Sequence, residues 1–551
     1  MKKRFHFILL ISLAFACTNR KQQVDQLILG ATIYSMDKDS TTYSAMAISN
    51  GKVIALGEEK DFKQKYSSKE VISLHGKFIY PGFIDAHSHF YGLGESLVNA
   101  DLRGIKSEEE MIQKLRSLNS VEGTTDNQKI PTSIIGRGWD QNLWEGKKFP
   151  NNAELNKLFP DVPVCLTRID GHAALVNQKA LDLAGINIDS KISGGDFIKE
   201  NGKLTGVLID NAVDLVKAQL PEPSKEEKKE IILKAQTKCL KYGLTTVSDA
   251  GITKELIELY SEMHASGELK IRIYAMANPT QPTLGWLIKN GPVKEERLHV
   301  QSVKYYMDGA MGSRGACLLE DYTDQPNNRG FLLNSIDSLK ALAELLRENN
   351  LQLNIHCIGD SANRITLKIM ADVLGNDTTR RWRIEHLQLI SAADLIYLKK
   401  CRIIPSMQPT HATSDASWVS ERLGTSRLKY AYALKTCLAN AGMIALGTDF
   451  PVEEINPFYT FYSAITRKHP VTGMTYDWLQ SEKLTRYQTL QGMTIWAAYS
   501  QFEESQKGSL EPNKLADFIV MDKDLFQVSE EEVVSLLPSQ VYINGKLVAG
   551  K

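Results

Sequence analysis

The feature that most constrains this chain is a recurring unit: a short apolar run that closes on a polar residue, followed by helical sequence. LQLNIHCIGD leads into SANRITLKIMADVL, GLTTVSDAG leads into another helical run, and GMIALGTDFPV repeats the pattern towards the C-terminal end. Short strands alternating with amphipathic helices imply a parallel sheet, since parallel strands need a crossover connection. Helices around a closed sheet give a (β/α)8 barrel, and an open doubly wound sheet is the alternative that this pattern leaves. A barrel takes roughly 250 residues. The chain has 551, so a second, smaller unit is expected. Lys+Arg and Asp+Glu are both 65. Zero net charge argues against a nucleic-acid binder, which carries a basic excess.

The chemistry concentrates where those runs end. In PGFIDAHSHF, residues 81–90, His87 and His89 stand two apart at a strand end. Residues i and i+2 of a strand share a side, so both imidazoles face one point, and neutral imidazole is a good zinc ligand. His356 closes LQLNIH, and His386 follows RIE about one βα unit later. Asp449 closes IALGTD about two units further on. With His356 on strand 5, His386 falls on strand 6, CRIIPSMQP supplies strand 7, and Asp449 ends strand 8. The C-terminal ends of the strands are where barrels keep their sites. Lys304 lies in QSVKYYMDG, the strand before His356. An ammonium among metal ligands repels a dication. A carbamate on Lys304 would remove the conflict, and pairing with Asp308 is the plainer reading.

The two ends of the chain read differently. Residues 26–80 carry β-branched runs broken by Asn-Gly, a hairpin signal. Residues 515–521 and 540–548 answer them, again with Asn544-Gly545 at a turn. One small sheet domain from residues 24–80 plus 505–551 is expected, around a barrel over 81–504. Before it, Lys2, Lys3 and Arg4 precede the apolar residues 5–16, a run too short to span a membrane, and then Ala16-Cys17. Residues 1–17 therefore read as a lipoprotein signal, with Cys17 lipidated and the chain held in the cell envelope, facing the periplasm or the surface. The membrane is expected only through that anchor. Cys165, Cys239, Cys317, Cys357, Cys401 and Cys437 sit in apolar runs and read as buried thiols.

At these residues the chain resembles the amidohydrolase superfamily, and more closely its YtcJ-like branch (amidohydrolase family 3), which includes N-substituted formamide deformylase. PGFIDAHSHF, residues 136–181, VKYYMDGAMGSRGA and KLADFIVMDKD carry the resemblance. It implies a TIM-like barrel with a small β-sandwich built from both termini, and an insertion after the first barrel strand at about 101–235. It also implies a metal site of His87, His89, Lys304, His356, His386 and Asp449. Two divalent ions, zinc by expectation, would be bridged by N6-carboxylysine at Lys304, with His87 and His89 on one ion and His356 and His386 on the other. Asp449 would be the catalytic acid and base. Trp139, Asp140, His172, Asp308, Arg314 and His411 are the candidate substrate-binding residues, with Trp144 and Tyr306 suited to an apolar substituent. The expected reaction is metal-assisted cleavage of an amide-type C–N bond in an N-acyl or N-formyl amine or a cyclic amide. Deamination, ester or lactone opening on the same scaffold, and a non-catalytic ligand-binding lipoprotein are the alternatives. The expected partner is a small molecule, not nucleic acid, and a homodimer is compatible with the sequence.

Overall fold

The computed structural model describes residues 21–119, 133–220 and 222–550. The signal and Cys17 lie outside the described residues. Eight parallel strands form the barrel: β1 (Phe83–Ser88), β2 (Leu244–Ile252), β3 (Arg272–Ala277), β4 (Leu298–Tyr306), β5 (Gln352–Cys357), β6 (Arg383–His386), β7 (Ile404–Met407) and β8 (Ala445–Leu446). They pair in chain order. The seam between β8 and β1 is closed just past the short β8: Asp449 N–H donates to His87 O at 2.8 Å, and His89 N–H donates to Phe450 O at 2.8 Å. Asp85 reinforces it, accepting from the Thr448 hydroxyl at 2.7 Å and from His87 N–H at 3.1 Å.

Strand alternation divides each barrel strand between two environments. Ile273, Val300, Leu353, Ile355 and Ile384 pack outward against the helices in one large core. The inward set is polar. Fully buried Arg383 ties β6 to β1 and β7 by donating to Ala86 O at 2.5 Å and to Ser406 Oγ at 2.8 Å, and it pairs with Glu385 at 2.7 Å. A buried cation is tolerable because it is paired and hydrogen-bonded. This network forms a rigid floor beneath the strand ends.

The two chain ends meet in one eight-stranded mixed sheet. Its long first strand, Gln22–Tyr34, pairs antiparallel with Thr42–Ser49 and parallel with Tyr66–Ser73 and Phe78–Pro81, and Phe518–Met521 joins on the far side. Alternate residues bury both faces: Ile28, Met46 and Ile48 on one, Leu27, Leu29, Ala45 and Ala47 against Phe62 on the other. Both Asn-Gly pairs form tight hairpin turns, with φ of 51° and 73° at Asn50-Gly51 and 52° and 69° at Asn544-Gly545. A two-residue type I′ turn requires positive φ at both positions, which Asn and Gly tolerate.

Between β1 and β2 the chain builds a further six-stranded sheet, from Ala100–Asp101 through Lys203–Asp210. The helix Lys225–Lys241 then returns to the barrel core through Ile232, Ala235 and Cys239. Five of the six cysteines among the described residues are buried free thiols, and Cys317 is a free thiol partly exposed. No helix among the described residues is long and apolar enough to cross a membrane.

Candidate metal centre and active site

Asp449 is the hub. Its carboxylate lies 3.5 Å from His87 Nε2, 3.3 Å from His89 Nε2 and 3.5 Å from His411 Nε2, with His386 Nδ1 at 3.9 Å. These residues fall into two convergent sets, His87–His89–Asp449 and His386–His411–Asp449. Backbone strain helps to aim them. Asp449 has φ of 62° and His386 has φ of 74°, values that a residue with a Cβ adopts only when its surroundings impose them. β1 ends at Ser88, so His89 lies one residue beyond the strand, at the start of the helix Phe90–Val98.

Glu385 sets the tautomer of His87. Its Oε2 lies 2.5 Å from His87 Nδ1, and both side chains are fully buried. An ionised carboxylate only accepts, so the proton sits on Nδ1 and the Nε2 lone pair faces the site. Gln408 Oε1 holds His386 Nδ1 at 2.9 Å in the same manner. Burial drives the pKa values of His87, His356, His386 and His411 below the usual imidazole range, which keeps them neutral ligands. Burial acts to raise the Asp449 carboxyl, but the surrounding imidazoles outweigh it and hold Asp449 far below the usual carboxylate range. Burial lowers the Lys304 ammonium to about 8. Lys304 Nζ stands 3.2 Å from His87 Nε2.

The site opens into a cavity of about 1110 Å³ whose wall includes Lys304, His356, His386, His411 and Asp449. The strand ends supply its floor and the inserted sheet supplies part of its rim. His172 is on that rim. Its Nδ1 lies 2.6 Å from Asp210 Oδ1, and its ring centroid is 5.1 Å from that of His356. Burial acts to lower His172, and Asp210 outweighs it, so its pKa is raised. Asp140 also lines the cavity, locked to Arg168. Tyr306 lines it 5.4 Å from the His356 ring.

Four expected substrate-facing residues do not line the cavity. Trp139 is wholly buried in the core of the inserted sheet, its Nε1 donating to Leu166 O, and Trp144 packs beside it. Asp308 is wholly buried, its Oδ1 4.0 Å from His356 Nε2, and it accepts from the backbone N–H groups of Cys317, Ile358 and Gly359. It orders the backbone around β5, and its own pKa rises to about 7 through burial. Arg314 pairs with Asp324 at 2.9 Å, outside the cavity. His411, expected to meet substrate, instead stands with the ligand set. Asp85 and Glu385 carry much of the site's order and were not read as functional. Their position two residues from a neighbouring inward polar group is the signal that could have found them.

Three atoms around the hub, His356 Nε2, His411 Nε2 and Asp449 Oδ1, are buried without a hydrogen-bond partner. Such atoms are costly unless something binds them. Neutral imidazoles and a carboxylate converging on one point fit a divalent ion of the zinc type.

An eight-stranded parallel barrel with this cluster at its strand ends defines a class of barrel hydrolases. The model of the amidohydrolase family matches residues 70–549, and the chain belongs to that family. It is 31% identical to Protein LONG AFTER FAR-RED 3 of Arabidopsis thaliana, over 95% of this chain and 91% of that protein. It is 30% identical to the putative amidohydrolase YtcJ of Bacillus subtilis, over 95% of this chain and 99% of that protein. N-substituted formamide deformylase of Arthrobacter pascens is 22% identical, over 96% of this chain and 98% of that protein. Among solved structures, an uncharacterized metal-dependent hydrolase from Pyrococcus horikoshii superposes with a TM-score of 0.76 at 29% identity, over 92% of this chain and 99% of that one.

Proposed function

We propose that this chain is a metal-dependent hydrolase that cleaves an amide-type C–N bond in a small molecule, such as an N-acyl or N-formyl amine or a cyclic amide. The observation that carries the reading is the strained, buried Asp449 carboxylate ringed by imidazoles at the floor of the cavity. His87, His89, His386, His411 and Asp449 would hold the metal ions, with His356 beside them. A bound divalent ion supplies a Lewis acid for the carbonyl and brings the pKa of water from 15.7 towards about 7. Asp449 takes the proton of the attacking water and returns it to the leaving nitrogen. One carboxylate serves both steps, because it is a base before attack and an acid after it. His172, fixed through Nδ1 by Asp210, would offer its other ring nitrogen to the oxygen on which charge develops.

Lys304 is wholly buried, faces His87, and has no carboxylate within ion-pair distance among the described residues. A free amine there would attack carbon dioxide and lose a proton, giving an anionic N6-carboxylysine that would join the residues holding the metal. The deformylase among the relatives favours C–N bonds over esters. Cys17 completes the reading as the lipid attachment point, with the enzyme anchored in the cell envelope. Clickable fatty acid should label the wild-type chain and not Cys17→Ser.

The test of the activity is a panel of N-formyl amines, N-acyl amines, cyclic amides, aminated heterocycles, esters and lactones, run on the metal-loaded protein. The account expects turnover of the amide members and its loss in Asp449→Asn. Turnover of only the amino-heterocycles or esters replaces the amide reading. Turnover that survives in Asp449→Asn removes the assigned acid and base.

A further inference from the structure

Arg137 stands out among the cations of the cavity. It lines the same cavity as Asp449 and Lys304. Its guanidinium makes one hydrogen bond, Nη2 to Ile169 O at 3.0 Å, and its Nε is buried without a partner. No carboxylate among the described residues lies within ion-pair distance of it. Arg168, Arg272, Arg383 and Arg422, which lie deeper than the half-buried Arg137, each hold an acid. Arg467 also lacks one, but it does not line the cavity. Asp449, Asp170 and Glu95 act on Arg137 only through space, and burial still pulls its guanidinium below the usual value.

The backbone aims this side chain deliberately. The strand Ile134–Trp139 pairs with Val164–Arg168, and its register slips between Arg137 and Trp139. Gly138, at φ of 115°, is the extra residue of that bulge. In a regular strand Arg137 and Trp139 would share a face. The bulge separates them, so that Trp139 enters the core while Arg137 faces the cavity. Bulges beside active sites commonly re-aim a side chain in this way. The guanidinium also lies against the loop that carries His172. A Cβ placed on Gly171 would meet Arg137 Nη2 at 3.3 Å and Nη1 at 3.5 Å. Arg137, Gly171, His172 and His356 thus form a short path along the wall from the open fork to the hub.

We propose that Arg137 anchors a carboxylate on the substrate, so that the compound cleaved is a small-molecule amide bearing an acid group. This rests on the hydrolase reading above. A guanidinium presents parallel N–H donors that match a carboxylate in a bidentate fork. Arg137 is half-buried in the cavity wall with its Nε unpartnered and no counter-ion among the described residues, and a ligand carboxylate supplies the missing partner. Arg168 is not free to do this, because Asp140 and Asp170 already occupy it.

The experiment compares matched pairs of N-formyl, N-acetyl and N-benzoyl amino acids with their primary amides on the metal-loaded full chain. Affinity is read by calorimetry and turnover by amine release, for wild type, Arg137→Gln, Arg137→Lys and Lys217→Gln. Lys217 also lines the cavity and controls for general electrostatics. The acids should bind about 10–100-fold more tightly than their amides in the wild type, as expected for a charge-assisted pair. That ratio should fall close to one in Arg137→Gln, recover in part in Arg137→Lys, and hold in Lys217→Gln. A residue that merely supports the loop would weaken acid and amide alike. No acid preference in the wild type, no acid binding, or a preference retained by Arg137→Gln overturns the proposal. Acid preference without turnover of any pair leaves the anchor standing and removes the hydrolase reading instead.

Discussion

The barrel floor and the inserted rim contribute to the same cavity by opposite means. On the floor, each functional side chain stands at or just past the C-terminal end of a parallel strand, so the fold's repeat places it. On the rim, function depends on departures from regularity: one bulge at Gly138, one loop through Gly171, one buried pair in His172–Asp210. The floor collects ligands that any member of such a fold could use. The rim selects what reaches them. A scaffold of this kind can keep its chemistry while its specificity changes, because the two are carried by different segments of chain.

The comparison can be broken first at the floor. Asp449→Asn should lower kcat by about 10²–10⁴-fold, the usual weight of a positioned acid and base, with the fold intact by circular dichroism. A smaller loss would move proton transfer to another group. Next comes Glu385→Gln, which removes the charge that fixes the His87 tautomer. Metal affinity should fall about 10–100-fold in a competition with a chelator. Unchanged affinity would make the short His87–Glu385 contact a packing feature only.

Legibility in the sequence followed the same division. His87, His89, Lys304, His356, His386 and Asp449 were readable because strand ends recur at the spacing of βα units, and residue type agreed with position. The terminal sheet was readable from its Asn-Gly turns. Glu385 and Asp85 were not, because a lone acid in an apolar strand looks the same in sequence whether it is functional or merely paired. Trp139 is expected to line the site as part of the Trp-Asp motif of the inserted region. The Gly138 bulge turns Trp139 into the core and Arg137 outwards, and nothing in GRGWD announces an extra residue. Arg314 reads as a substrate-binding candidate in sequence, and Asp324 takes it. His411, a substrate-binding candidate in sequence, lies four residues past β7 and stands with the ligand set.

At the rim the expected effects are smaller. Gly138→Ala adds a Cβ that would lie 2.5 Å from Arg103 Cγ and 2.8 Å from its backbone nitrogen, at a φ that disfavours any side chain. It should cost about 1–3 kcal/mol in thermal or denaturant unfolding. An unaltered midpoint would show that the bulge is not rigidly held. Smallest of all is Arg314→Ala. Its pair with Asp324 is partly exposed and outside the cavity, so stability should change by about 0–1 kcal/mol and kcat/KM should not change. A clear loss of kcat/KM would return Arg314 to the substrate path.

The central claim is that the strand ends form a metal centre with Lys304 as a member. It is tested most directly by plasma emission on the purified chain, with Lys304→Ala beside it. The account predicts about two divalent ions per wild-type chain, with the content reduced in the variant. A wild-type chain without stoichiometric metal, even after incubation with zinc, would contradict it. One ion per chain, unchanged in Lys304→Ala, would contradict the place given to Lys304.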